Sequence, residues 1–131
     1  MAVNPVTNKI YVANYGDDNV TVIDGADNST ETVSIGSGPI GVAVNPAGNK
    51  IYVTNYNDGT VTVIDGATNV VQTVSAGNQP YAIVVNPITN KVYVGNQNSD
   101  TVTVITEQPD EPIPLTTSIA DLPNRTSTVA A

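Results

Sequence analysis

A 41-residue period runs through this chain and narrows its possible folds more than any other feature. Asn4-Pro5, Asn45-Pro46 and Asn86-Pro87 stand 41 residues apart. The same step carries Asn8-Lys9 to Asn49-Lys50 and Asn90-Lys91, and Tyr11-Val12 to Tyr52-Val53 and Tyr93-Val94. It also carries Val20-Thr21-Val22-Ile23 to residues 61–64 and 102–105, and Asn14 to Asn55 and Asn96. Gly36 and Pro39 return as Gly77 and Pro80, and no insertion breaks the spacing. A unit of this size cannot bury its apolar face alone, so units of one kind must stack on one another.

Each unit divides into four short extended stretches. In the middle unit these are residues 40–45, 50–55, 60–64 and 70–75, rich in Val, Ile, Tyr and Thr, which suit a pleated surface. Between them lie Asn-Pro-Ala-Gly-Asn, Tyr-Asn-Asp-Gly, Asp-Gly-Ala-Thr-Asn and Ala-Gly-Asn-Gln-Pro, whose Gly, Pro, Asn and Asp favour turns. No stretch has helical periodicity with caps, so the chain is all-β. The first strand alternates small and branched residues (Ile40, Gly41, Val42, Ala43, Val44), suiting a crowded place where backbones converge. The second and third are apolar on both faces, as in a sheet packed between two others. The fourth is half polar, as an outer strand should be. Four-stranded antiparallel sheets of about 40 residues, stacked radially, are the blades of a β-propeller.

The stretches Lys-Ile-Tyr-Val-Ala-Asn (9–14), Lys-Ile-Tyr-Val-Thr-Asn (50–55) and Lys-Val-Tyr-Val-Gly-Asn (91–96), with the Val-Thr-Val-Ile that follows each, resemble the YVTN family of β-propeller repeats. The resemblance covers roughly residues 2–106. It implies blade architecture and a place at the cell surface, in surface-layer or secreted and periplasmic proteins. A repeat of this kind hosts many functions, so it implies compartment more than activity.

The units, about 2–42, 43–83 and 84–106, amount to 2.5–3 blades per chain, whereas propellers close with roughly four to eight. The expectation is a set of blades that does not close alone and that leaves sheet faces open for association. Three outcomes stay open: a piece of a longer propeller, two chains closing a six-bladed ring, or copies adding head to tail into a fibre. Residues 107–131 leave the repeat and read as a Pro- and Thr-rich linker or a strand-donating tail. Within it Leu115, Thr116, Thr117, Ser118 and Ile119 are candidates for a fourth strand of the third blade, or for a strand added to a neighbour.

Composition closes off most chemistry. The chain has no His and no Cys, which excludes imidazole bases, thiol nucleophiles and the usual ligands of zinc, haem and iron–sulfur clusters. Four Lys and Arg against twelve Asp and Glu give a net charge of −8, which disfavours nucleic acid and anionic lipid. No apolar run is long enough for a membrane span, and the first residues do not form a signal peptide. Binding in propellers uses loops at one end of the channel. Here that places Tyr15, Asp17, Asp18, Tyr56, Asp58 and Asp100 together as candidates for a partner or a cation. Ca²⁺ is the cation that clustered oxygens suit, although no loop has a spaced calcium-ligand series. Asn14, Asn55 and Asn96 are expected to bond backbone at a strand end. Asn19, Asn28 and Asn124 open glycosylation sequons, which chance also produces in a chain rich in Asn and Thr. The chain thus reads as non-catalytic, extracellular or at the cell surface. It would pair with itself, with sibling blades or with other surface proteins, or bind a ligand as part of a larger propeller. An enzyme subunit is the distant alternative.

Overall fold

The turn residues that recur with the period set where each strand stops. Asn8, Asn49 and Asn90 hold φ of 56°, 50° and 55°, and Asp18, Gly59 and Asp100 hold 53°, 66° and 51°. Asn, Asp and Gly are the residues that tolerate this left-handed backbone, so the same turns form in every unit. The carboxylates of Asp24 and Asp65 each accept the N–H two residues on, from Ala26 and Ala67, both at 2.9 Å. The strands between these turns run where the β-branched residues are.

The computed structural model describes residues 1–107 and the backbone of residues 124–130. The first sheet holds β1 (Ala2–Asn4), β2 (Lys9–Asn14), β3 (Asn19–Asp24) and β4 (Thr30–Ser34). The second holds β5 (Pro39–Asn45), β6 (Lys50–Asn55), β7 (Thr60–Asp65) and β8 (Val71–Ser75). The third holds β9 (Pro80–Asn86), β10 (Lys91–Asn96), β11 (Thr101–Glu107) and β12 (Asn124–Ala130). Every neighbouring pair is antiparallel, with Tyr11 opposite Val22, Tyr52 opposite Val63 and Tyr93 opposite Val104. The described residues contain no helix, and no sheet closes on itself. The molecule is therefore all-β, three blades that do not complete a ring. Strand β12 pairs along the whole of β11, from Thr101 opposite Ala130 to Glu107 opposite Asn124. Leu115 to Ile119, the segment expected to donate a strand, lies outside the described residues.

The core sits between blades. Tyr11, Val20, Val22 and Val33 of the first blade bury against Ile51, Val53 and Ile64 of the second. One repeat on, Tyr52, Val61 and Val63 bury against Val92, Val94 and Ile105. Each blade thus has a front, carrying the tyrosine, and a rear, carrying the isoleucine or valine beside it in sequence, because successive side chains of a strand alternate. Gly41 marks the convergence of inner strands. A Cβ there would lie 2.5 Å from the Tyr81 carbonyl oxygen, so no larger residue fits without moving β9. The Gly41 N–H donates to Thr54 Oγ1 at 2.8 Å, and that hydroxyl donates onward to the Tyr81 carbonyl at 3.1 Å.

The repeated asparagines bond differently from expectation. Asn55 Nδ2 donates to Thr60 Oγ1 at 3.0 Å and Thr62 Oγ1 at 2.8 Å, and Asn96 does the same to Thr101 and Thr103 at 3.1 and 2.9 Å. Asn14 reaches Asn19 Oδ1 and Thr21 Oγ1, both at 2.8 Å. The partner is side chain across the hairpin rather than backbone, because the alternate Thr of the facing strand point the same way as the amide. The Thr of the Val-Thr-Val-Ile motif is a clamp point.

Candidate functional site

Two kinds of surface qualify: the rim of hairpin loops and the open faces of the end blades. On the rim, two of the four acidic candidates serve the fold. Asp58 Oδ2 accepts the Ser37 N–H at 2.7 Å, and Asp18 Oδ1 accepts the Gly38 N–H at 2.8 Å, so both hold the turn leading into the second blade. Ser99, one repeat after Asp58, does the same for the Asn78 N–H at 3.3 Å. Asp17 and Asp100 are exposed, and Asp100 occupies the left-handed position of its turn. Among the described residues no three acidic groups converge as a metal site would require.

The tyrosines of the rim bridge blades. Tyr15 is half exposed, and its hydroxyl lies a long 3.5 Å from Asn57 Oδ1 of the second blade. Tyr56 stands edge-on to Tyr81 of the third, ring centres 6.2 Å apart at 81°. Tyr81 in turn borders an open hollow of about 500 Å³ with Asn96, Gln97, Asp100 and Val102. The structure thus brings Tyr15, Asp18 and Asp58 to the junction of blades one and two. Tyr56 and Tyr81 pair at the junction of blades two and three, and Asp100 lies beyond them.

At the other end a polar seam joins the blades. Asn4 Nδ2 donates to Asn49 Oδ1 at 3.1 Å, and Asn45 Nδ2 to Asn90 Oδ1 at 3.0 Å. Glu107 adds to the second junction alone, its Oε2 accepting from Tyr52 Oη at 2.9 Å and Asn45 Nδ2 at 2.7 Å. Its carboxylate also lies against Gly48, which leaves room for it. Burial pushes the Tyr52 phenol far above its ordinary pKa, and the Glu107 charge and hydrogen bond add to the shift. Tyr11, also raised by burial, has no partner for its hydroxyl among the described residues. Glu107 was not singled out from the sequence. The signal was present, since the two earlier copies carry Gly25 and Gly66 at this position.

The end blades expose what the middle blade hides. On the front of the third blade Tyr93 is 37% exposed and Val84 60%, whereas their counterparts Tyr52 and Ala43 are 0% and 9%. On the rear of the first blade Val3 is 55% exposed, and Ile10, Val12 and Ile23 are only partly covered, where Ile51, Val53 and Ile64 are fully buried. Exposed apolar residues grouped on one face make the open front and rear the candidate contact surfaces.

No family model and no curated protein matches the chain. Solved structures of β-propeller type do. The dihydro-heme d1 dehydrogenase NirN is 18% identical with a TM-score of 0.74, over 98% of this chain and 27% of that one. Hydrazine synthase of Kuenenia stuttgartiensis is 17% identical with a TM-score of 0.68, over 83% of this chain and 42% of that one. A functionally unknown protein from Desulfotomaculum acetoxidans is 21% identical with a TM-score of 0.70, over 82% and 37%. The chain spans less than half the length of each, and at these identities the likeness is one of fold. It is a partial β-propeller, three consecutive blades with a front and a rear left open.

Proposed function

We propose that the chain is a non-catalytic structural or interaction module of the YVTN repeat type, working at the cell surface or outside the cell. It pairs through its open faces with sibling blades or further copies. The observation that carries this reading is the exposure of Tyr93 and Val84 on one end, at positions where Tyr52 and Ala43 are buried, and of Val3 on the other, where Val44 is half-buried. Repetition supports it as well, since a packing residue is needed in every blade and a catalytic one only once. The solved propellers named as a dehydrogenase and a synthase are too distant to lend their chemistry.

Light scattering of the purified chain across a hundredfold concentration range tests the reading. Masses at multiples of 13.5 kDa are expected. A monomer throughout overturns self-pairing and favours a second reading, that the chain is the partner- or ligand-binding part of a larger closed propeller. The observation behind that alternative is the coverage of only 27% to 42% of the solved chains.

A further inference from the structure

Resting on the pairing reading, we infer that the partner is a second copy of this chain. The rear of its first blade seats on the front of the third blade, and two such junctions close a six-bladed ring. The internal junctions supply the template. In each, a Tyr and two Val on a front meet three branched residues on a rear: Tyr11, Val20 and Val22 on Ile51, Val53 and Ile64, then Tyr52, Val61 and Val63 on Val92, Val94 and Ile105.

The open front repeats these three front residues as Tyr93, Val102 and Val104; the counterpart of Val33, the further front residue of the first junction, is Leu115, outside the described residues. The open rear offers Ile10, Val12 and Ile23, identical in type to the Ile51, Val53 and Ile64 already packed inside the chain. Val3 likewise matches Val44, which packs beside that cluster. Within the molecule the Ile-Val-Ile rear seats on a front once, and its Val-Val-Ile variant once more, so the open rear matches a surface the front already accepts.

The polar seam carries across in the same register. Asn86 is prepared as Asn4 is, its Oδ1 accepting the Ile88 N–H at 3.0 Å just as Asn4 Oδ1 accepts the Val6 N–H at 3.0 Å. The Asn4 amide donates to Asn49, and the repeat counterpart of that acceptor for Asn86 is Asn8 of the second copy. Asn8 is exposed and holds the same left-handed turn, φ 56° against 50° at Asn49. No charged residue stands in either apolar set; Lys91 flanks Tyr93 on the same face, where its counterpart Lys50 is 16% exposed and paired with Asp65.

Contacts of front onto rear are heterologous, giving rings when the rotation closes and filaments when it does not. Two three-bladed copies make six blades, inside the range of about four to eight in which propellers close, and three copies make nine, outside it. The ring then has two identical junctions about a two-fold axis.

Tyr93→Asp breaks the front and Val12→Asp the rear, with circular dichroism verifying the fold. Val3→Asp, at a more exposed rear position, replaces Val12→Asp if that variant does not fold. Light scattering should give a uniform two-chain mass for the wild type and a one-chain mass for each variant alone. A 1:1 mixture of the two variants, which retains one intact front and one intact rear, should recover the two-chain species at the upper end of the concentration range. A variant that stays two-chain on its own overturns this junction while leaving self-pairing intact. A mass that climbs steadily with concentration overturns the closed ring. A wild type that is monomeric throughout removes the pairing reading itself.

Discussion

Tyr11, Tyr52 and Tyr93 share one position in the repeat and meet three different surroundings. The Tyr52 hydroxyl is bonded to Glu107, the Tyr11 hydroxyl is buried without a partner among the described residues, and Tyr93 is partly in water. A buried hydroxyl stabilises only when paired. Tyr52→Phe should therefore cost about 1–3 kcal/mol, because it strips a donor from a carboxylate. Tyr11→Phe should be neutral or stabilising by up to about 1 kcal/mol. Urea unfolding of the two variants checks the contrast, and equal losses would refute it.

Asp65 gives the acid response its sign. The Ala67 N–H and then the Lys50 ammonium, 3.1 Å away, hold its carboxyl below the ordinary value of 3.8. A depressed folded pKa contributes stability that is complete above the unfolded value, about 3.9, and is lost as pH falls through the lower folded value. Asp65→Asn should flatten the acid limb of stability below about pH 4, read from thermal melts between pH 2 and about 5.

At the scale of the element, the asparagine clamp fastens the second strand of each blade to the third. Asn55 is fully buried and Asn14 is not. Asn55→Ala should cost about 1–3 kcal/mol, by leaving the Thr60 and Thr62 hydroxyls without their donor, and Asn14→Ala distinctly less. The inner strand is the other fixed element. Gly41→Ala drives a methyl into the Tyr81 carbonyl and should cost about 1–3 kcal/mol, whereas Ala82→Gly, at the exposed counterpart in β9, should shift the unfolding midpoint only slightly. Within the repeats the strands and turns were legible in sequence to within about a residue, because β-branched runs and left-handed Asn, Asp and Gly act locally; the fourth strand of the third blade was not, being Asn124–Ala130 where Leu115–Ile119 was the candidate. The direction of the clamp was not, since it depends on which Thr of the facing strand lies beside the amide.

For the whole molecule, position in the stack overrides sequence. Strands β6 and β7 are buried on both faces, while β2, β3, β10 and β11, nearly the same in sequence, are covered on one. Amide hydrogen exchange should accordingly be slowest in β6 and β7, and uniform protection across the three blades would count against that ranking. Among the rim candidates, the roles of Asp18 and Asp58 as anchors for the turn into the second blade were hidden from sequence. They join residues 20 or 21 positions apart, a distance bridged only once the hairpins fold back.

The 41-residue period, the strand pattern and the turn chemistry by themselves determined that this chain makes four-stranded blades, too few to close. That followed because hydrogen bonding, side-chain alternation and left-handed turns are local. Which tyrosine is buried, which faces stay open and where Glu107 is spent were decided only by the tertiary structure. Those outcomes depend on what stands on the far side of each sheet, which the local pattern of a repeated unit does not encode.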